Sequence, residues 1–105
     1  MKKRVVRTRL AEVDLIEHFD YIANDNTDAA LRFAESIEQA SDRLSQMPKI
    51  GSIWEFSNPR LSGIRMWPVP QFSKYLIFYQ ITEDSIRIIR VLHGARDISA
   101  LFEDE

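Results

Sequence analysis

The chain has no cysteine, which excludes a disulfide framework and any thiolate metal site. Its glycines number three, Gly51, Gly63 and Gly94, too scattered to form a phosphate-cradling loop. No serine sits in a nucleophile-elbow pattern. Histidine occurs only twice, and His18 lacks the second histidine that common helical zinc spacings require. No apolar run approaches the roughly 20 residues of a membrane span. The N-terminus is basic, but no apolar segment follows it, so nothing marks export and a cytoplasmic location is expected. What remains is 105 residues, 45% hydrophobic and 29% charged, the make-up of one globular domain over residues 1–105.

The net charge of −2 conceals an uneven distribution. Residues 1–9 carry five basic and no acidic side chains, and residues 10–46 carry nine acidic and two basic. Residues 47–96 carry seven basic and three acidic, and residues 97–105 carry four acidic and none basic. An acidic middle thus separates basic segments. Such a basic sheet could receive a phosphate backbone or an acidic protein segment, or the halves simply neutralise each other.

Residues 2–8 read as a short edge strand, where Lys and Arg are tolerated beside water. Thr8 is a candidate cap for a helix over residues 9–24, with Glu12 and Asp14 near its positive end. Its apolar positions are Leu15, Ile16, Phe19, Ile22 and Ala23. Asn26 offers a new cap, and a second helix runs to Pro48 with the stripe Ala30, Phe33, Ala34, Ile37, Ala40, Leu44 and Met47. Residues 48–62 read as a loop exposing Trp54 and Phe56, and residues 63–69 as a strand ended by Pro68 and Pro70. Two β-branched and aromatic runs, residues 74–81 and 86–92, flank a polar break and predict a hairpin. Strict alternation places Ile86, Ile88, Arg90 and Leu92 on one face, and Arg87, Ile89, Val91 and His93 on the other. Residues 98–102 suit a short helical element, and the acidic tail after them suits solvent. The order β-α-α-β-β-β predicts an α+β fold, with a helical hairpin packed on a small, mostly antiparallel sheet and a short C-terminal element.

Arg65, Arg90 and Arg96 converge near the end of the sheet in this reading, with His93 beside them. Guanidinium groups suit phosphate recognition, and a nearby histidine suits acid–base work on a phosphodiester. A plainer reading gives Arg90 an acidic partner on the helices or tail. It has His93 bonding backbone at the strand exit and Arg96 pairing with Asp97 or the tail. Tyr75, Tyr79, Trp54 and Trp67 have rings that could meet a ligand, but packing in the core or at its rim is the preferred reading. Asp14, Glu17, His18 and Asp20 read as a solvated face of the first helix. No metal or other cofactor is expected.

The sequence resembles a ParE-type toxin of the RelE/ParE superfamily, from bacterial type II toxin–antitoxin systems. Matching segments span residues 4–102. They include Ala11-Glu12-Val13-Asp14-Leu15, Tyr21-Ile22-Ala23, Asn26 with Ala29-Ala30 and Arg32-Phe33, and Pro48 with Gly51. Pro59-Arg60-Leu61, Gly63-Ile64-Arg65, Pro68-Val69, Phe72 and Tyr75-Leu76-Ile77-Phe78-Tyr79 follow. Arg90-Val91-Leu92-His93-Gly94-Ala95-Arg96-Asp97 is the most diagnostic.

The resemblance implies a growth-inhibiting toxin neutralised by a cognate antitoxin whose segment folds on its helices and sheet groove. Operator DNA is then met only through the antitoxin. The ParE branch is associated with DNA gyrase, and the RelE branch with ribosome-dependent cleavage of messenger RNA. No Tyr, His or Lys follows His93 here, which favours gyrase inhibition without enzymatic activity. The alternatives are an RNA-cleaving toxin using His93, Arg65 and Arg90, and a weakly toxic protein acting in an autoregulatory complex. The expected toxicity surface is Arg65, Arg90, His93, Arg96, Leu101 and Phe102. The expected antitoxin contacts are the exposed parts of the helical hairpin together with Trp54 and Trp67.

Overall fold

The computed structural model describes residues 3–96 and 98–103, with the side chains of Ser99 and Glu103 left aside. The elements are β1 (Arg4–Arg7), α1 (Arg9–Asp25), α2 (Thr27–Gln46), β2 (Ser52–Ile53), β3 (Arg65–Val69), β4 (Phe72–Ile81), β5 (Ser85–His93) and α3 (Ile98–Glu103). Single turns of 3-10 helix lie at Pro48–Ile50 and Pro59–Leu61. The sheet order is β1-β5-β4-β3-β2; only the β1–β5 pair is parallel. The expected loop over residues 48–62 is therefore more ordered than its prolines suggested, because β2 pairs with β3 through Ser52 and Ile53.

Caps set the helix limits. Thr8 Oγ1 accepts from the Ala11 N–H, opening α1. Asn26 Oδ1 accepts from the Ala29 N–H while its own N–H reaches Ile22 O, so one residue closes α1 and opens α2. α2 buries Phe33, Ile37, Ala40 and Leu44 against the sheet. Each large apolar side chain so buried contributes roughly 1.5–3 kcal/mol. A cap contributes about 1 kcal/mol, so burial dominates the helix's attachment.

α1 departs from the expected stripe. Its buried residues are Ala11 and Asp14, whereas Ile16 is 60% exposed. The helix is turned so that Asp14 and His18 meet β5, with Ile22 continuing that line and Leu15 beside it.

The sheet carries apolar packing on both faces. The helix side holds Phe33, Ile77, Tyr79, Ile88 and Val91. The opposite side holds Ile64, Phe78, Ile89, Leu92 and Phe102, under α3 and the segment bearing Trp54 and Phe56. Alternation along β5 fails in the middle. Phe78 pairs with Arg90 and Tyr79 with Ile88, leaving Ile89 as an extra residue. This bulge reverses the phase of the strand. Val91 therefore rejoins Ile86 and Ile88 on the helix side, and Leu92 joins Ile89 on the other. The strict two-face assignment drawn from the sequence holds through Ile89 and is wrong beyond it for this reason.

Two turns need particular residues. Gly51 sits where an added Cβ would lie 2.6 Å from the Tyr79 hydroxyl and 2.7 Å from Met66 O. Between β3 and β4, Gln71 adopts a φ of 69° after Pro70. That left-handed conformation disfavours a residue with a Cβ. Gln71→Gly is expected to raise the unfolding free energy by about 0.5–1 kcal/mol, the relief exceeding glycine's chain-entropy penalty. Urea unfolding checks it, and a loss of stability would contradict strain at this turn.

Candidate functional site at the exit of the last strand

β1 stops early. Its last residue, Arg7, pairs with Ile88, so residues 89–93 of β5, paired with β4 along one edge, have no strand along the other. Exposed backbone donors and acceptors there need other partners. Thr8 Oγ1 donates to Ile89 O at 2.7 Å. Asp14 Oδ2 accepts from the Val91 N–H at 3.0 Å. His18 Nε2 lies 2.7 Å from Val91 O. A carbonyl can only accept, so this nitrogen of His18 carries a proton. Three side chains from the end of β1 and the buried line of α1 thus replace a missing strand.

Asp14 also receives Arg90. Nε donates to Oδ2 at 2.8 Å and Nη2 to Oδ1 at 3.0 Å, a two-pronged pair. The side chains are only 12% and 7% exposed. Arg90 Nη1 reaches Leu101 O of α3 at 3.4 Å, a weak contact by length. Arg90 therefore spans from α1 on one face to α3 on the other. It is a positioning residue within the fold, and its place on an open toxicity surface is corrected accordingly.

Arg65 belongs to another part of the molecule. Its Nη1 donates to Gly51 O at 2.7 Å. Tyr79, opposite it on β4, donates its hydroxyl proton to Pro48 O at 2.7 Å and accepts from the Gly51 N–H at 2.9 Å. Together they fasten the turn after α2. His93 pairs with Tyr75, four residues from Tyr79 along β4 and so roughly 13 Å away along that strand. The expected convergence of Arg65, Arg90, Arg96 and His93 does not occur.

At the exit itself, His93 is half-buried, with its ring edge-on to Tyr75 at 5.0 Å. Its Nδ1 accepts from the Ala95 N–H at 3.1 Å, so that nitrogen carries no proton in this arrangement. Tyr75 in turn meets His18 at 4.8 Å and Phe33 at 5.1 Å. Arg96 is exposed, and its backbone N–H bonds His93 O. Its suggested partner Asp97 lies outside the described residues, as do Asp104 and Glu105 of the tail. Leu101 is half-buried, but Phe102 is 2% exposed and packs against Phe56 and Phe78. Phe102 is core and not surface. Trp54 stands edge-on to Phe78, and Trp67 packs on the helix-side core. Both are half-buried by contacts within the chain, which weakens their choice as antitoxin contacts.

Asp14 and His18 are the residues that the sequence reading missed as functional supports. It assigned them to a solvated face, whereas only Glu17 and Asp20 of that group are exposed. The available signal was spacing: positions 11, 14, 18 and 22 form one helical line with apolar ends.

A family model described as "ParE toxin of type II toxin-antitoxin system, parDE" matches residues 5–98. The chain belongs to the ParE toxin family. The matched span contains Asp14, His18, Arg90, His93 and Arg96 and stops short of Leu101 and Phe102. A curated relative, Toxin RelE2 of Caulobacter vibrioides, is 30% identical over 93 residues, covering 89% of this chain and 97% of its own. A solved structure described as "Chromosomal ParDE TA system from P. aeruginosa" aligns with a TM-score of 0.68. It covers 88% of this chain and 96% of that one at 20% identity, a likeness of fold. The protein is thus a toxin-type member of a type II toxin–antitoxin family whose members pair with an antitoxin. Among the described residues, no helix of this ParE-family chain is long and apolar enough to cross a membrane.

Asp14→Ala is expected to cost about 3–5 kcal/mol, because it leaves a buried guanidinium and the Val91 N–H without their acceptor. Arg90→Ala should destabilise by a comparable amount. Chemical denaturation of the purified variants measures both, and wild-type stability of either would remove the pair from its supporting role.

A second expectation concerns alkaline pH. Burial raises the Tyr79 hydroxyl above its usual pKa, against smaller opposing effects of the Gly51 N–H and Arg65. Burial, then neighbouring Tyr21, raises Tyr75. The neutral forms favour the fold, so their contribution is intact below the unfolded value of about 10 and is lost as pH rises through the folded values. In an absorbance titration, Tyr75 and Tyr79 should ionise above that value, and stability should fall over the same range. Ionisation of all tyrosines together at the ordinary value would contradict this.

Proposed function

We propose that residues 1–105 form a single toxin unit that inhibits growth by acting on DNA gyrase without enzymatic activity of its own. The observation that carries this reading is the Asp14–Arg90 pair. It commits the arginine best placed beside His93 to holding the fold. Arg65 is likewise engaged with Gly51 O. An arginine does not give up its proton near neutral pH, so neither guanidinium supplies a second acid–base group for RNA cleavage. His93 alone is a poor set for that chemistry. The toxicity surface in this reading is His93, Arg96 and Leu101, with Arg90 and Phe102 supporting it from inside.

The partner is the cognate antitoxin. The helical hairpin exposes apolar residues at several points: Ile16 is 60% exposed, Tyr21 74% and Leu31 56%. A groove of about 250 Å³ between α1 and α2 adds Leu15, Phe19 and Phe33. These residues fit an apolar partner segment better than Trp54 or Trp67 do.

A second reading, ribosome-dependent RNA cleavage, is favoured by the name of the Caulobacter relative and by the half-buried His93 at the exit.

Purified toxin should block supercoiling by gyrase and accumulate cleaved DNA, and added antitoxin should reverse both. Arg96→Ala should weaken this activity about tenfold or more, the loss of one charged contact, with unchanged thermal stability. The decisive companion assay is RNA cleavage on programmed ribosomes: activity there, lost in His93→Ala, would overturn the gyrase reading.

A further inference from the structure

Three successive N–H groups follow β5, and each has a fixed acceptor. Gly94 N–H reaches Lys74 O at 2.7 Å, and Arg96 N–H reaches His93 O at 3.0 Å. Between them, Ala95 N–H reaches Nδ1 of the His93 ring at 3.1 Å. His93 thus supplies two of the three acceptors, one from its backbone and one from its side chain. The side-chain bond has the pattern of an Asx turn, in which a side-chain acceptor takes the N–H two residues on. An imidazole nitrogen here stands where Asn or Asp would offer an oxygen.

The ring is held in that pose. Tyr75 stands edge-on to it at 5.0 Å with the planes 86° apart, and Tyr75 is itself flanked by His18 and Phe33. With Nδ1 accepting, the neutral ring carries its proton on Nε2. Nε2 can then only donate, whereas a general base needs a free lone pair. An imidazolium could serve as an acid, but its second proton sits on Nδ1 and removes the acceptor for Ala95. Holding the turn and transferring a proton are therefore alternatives for this ring.

We infer that His93 is a positioning residue of the toxic surface: its neutral ring, through Nδ1, holds the turn that presents Arg96. The inference rests on the reading of Arg96 as a contact to gyrase. Arg96 is exposed, and the direction of its side chain follows from the bonds that fix the backbone before it. Protonation of His93 loosens that backbone, so activity falls on the acid side of the ring's titration. The titratable and charged groups around the ring are Tyr75 and Lys74 of β4, His18 and Tyr21 of α1 on the far side of Tyr75, and Arg96 itself. Among the described residues, no carboxylate lies within ion-pair distance of His93.

The test compares three variants in inhibition of gyrase supercoiling, with thermal melts to confirm folding. Asn places its Oδ1 where Nδ1 lies, whereas Gln places its polar end near Nε2. His93→Ala and His93→Gln should each lose about five- to tenfold in potency, the effect of one hydrogen bond, and His93→Asn should regain most of that loss. The potency of wild type relative to His93→Asn should fall as pH is lowered through the titration of the His93 ring. NMR reads that titration, since His93→Asn removes the signals of this ring and leaves those of His18. In the wild-type toxin, nitrogen shifts should place the neutral ring's proton on Nε2, and the Ala95 amide should lose about tenfold in exchange protection once the ring is charged. Rescue by Gln and not by Asn overturns the inference, because it means a direct contact or proton transfer through Nε2. Full potency in His93→Ala overturns it too, as does a neutral ring protonated on Nδ1, which decides the matter even if a variant fails to fold. A wild-type chain without effect on gyrase would remove the gyrase reading, and the NMR measurements would then alone uphold or overturn the hold on the turn.

Discussion

One carboxylate carries an unusual share of this fold. Asp14 accepts from a guanidinium on two sides and from a backbone N–H, all within the space left where β1 ends. A buried charge is tolerated only when paired and hydrogen-bonded, and here each demand is met by β5. The consequences spread outward. α1 is rotated to aim Asp14 and His18 at the strand, which leaves Ile16 facing solvent. Arg90 is drawn to the strand edge, where it contacts α1 and α3 together. The bulge at Ile89 supplies the change of phase that lets Arg90 and Val91 both meet the same carboxylate.

That arrangement explains how a site with few polar groups keeps a defined shape. The exit of β5 is braced from within by Asp14, His18 and the Tyr75 ring. The surface groups beyond it, His93 and Arg96, need only be presented. Such a division suits recognition of a large partner more than proton transfer, which needs two tuned groups in contact.

Much of the architecture was legible from residue pattern. The caps at Thr8 and Asn26, the apolar stripe of α2 and the two runs of the hairpin all rest on local chemistry, and each appears where the periodicity put it. The failures have a common physical source. The Ile89 bulge, the turn of α1 and the Asp14–Arg90 pair depend on groups far apart in sequence, and periodicity carries no information about such partners. Phe102 was misjudged as surface for the same reason. An aromatic side chain near a terminus or in a proline-bearing loop looks exposed until the sheet face that covers it is known. Arg90 itself fitted a phosphate contact and a buried ion pair equally well in the sequence, because only position decides between them.

The clasp between the ends of the chain has a consequence for synthesis. Asp14 waits for partners 76 and 77 residues later. Lys3 binds the carbonyls of Thr82 and Glu83, nearly 80 residues further on. The helical hairpin can form from local contacts as it emerges, but its polar line has nothing to close on until β5 is made. Closing that line requires contacts of long sequence separation, which are slow to form. A ParE-family chain built this way completes its exit surface only after β5 has left the ribosome, so that surface does not exist while the helical hairpin and the first strands are being made.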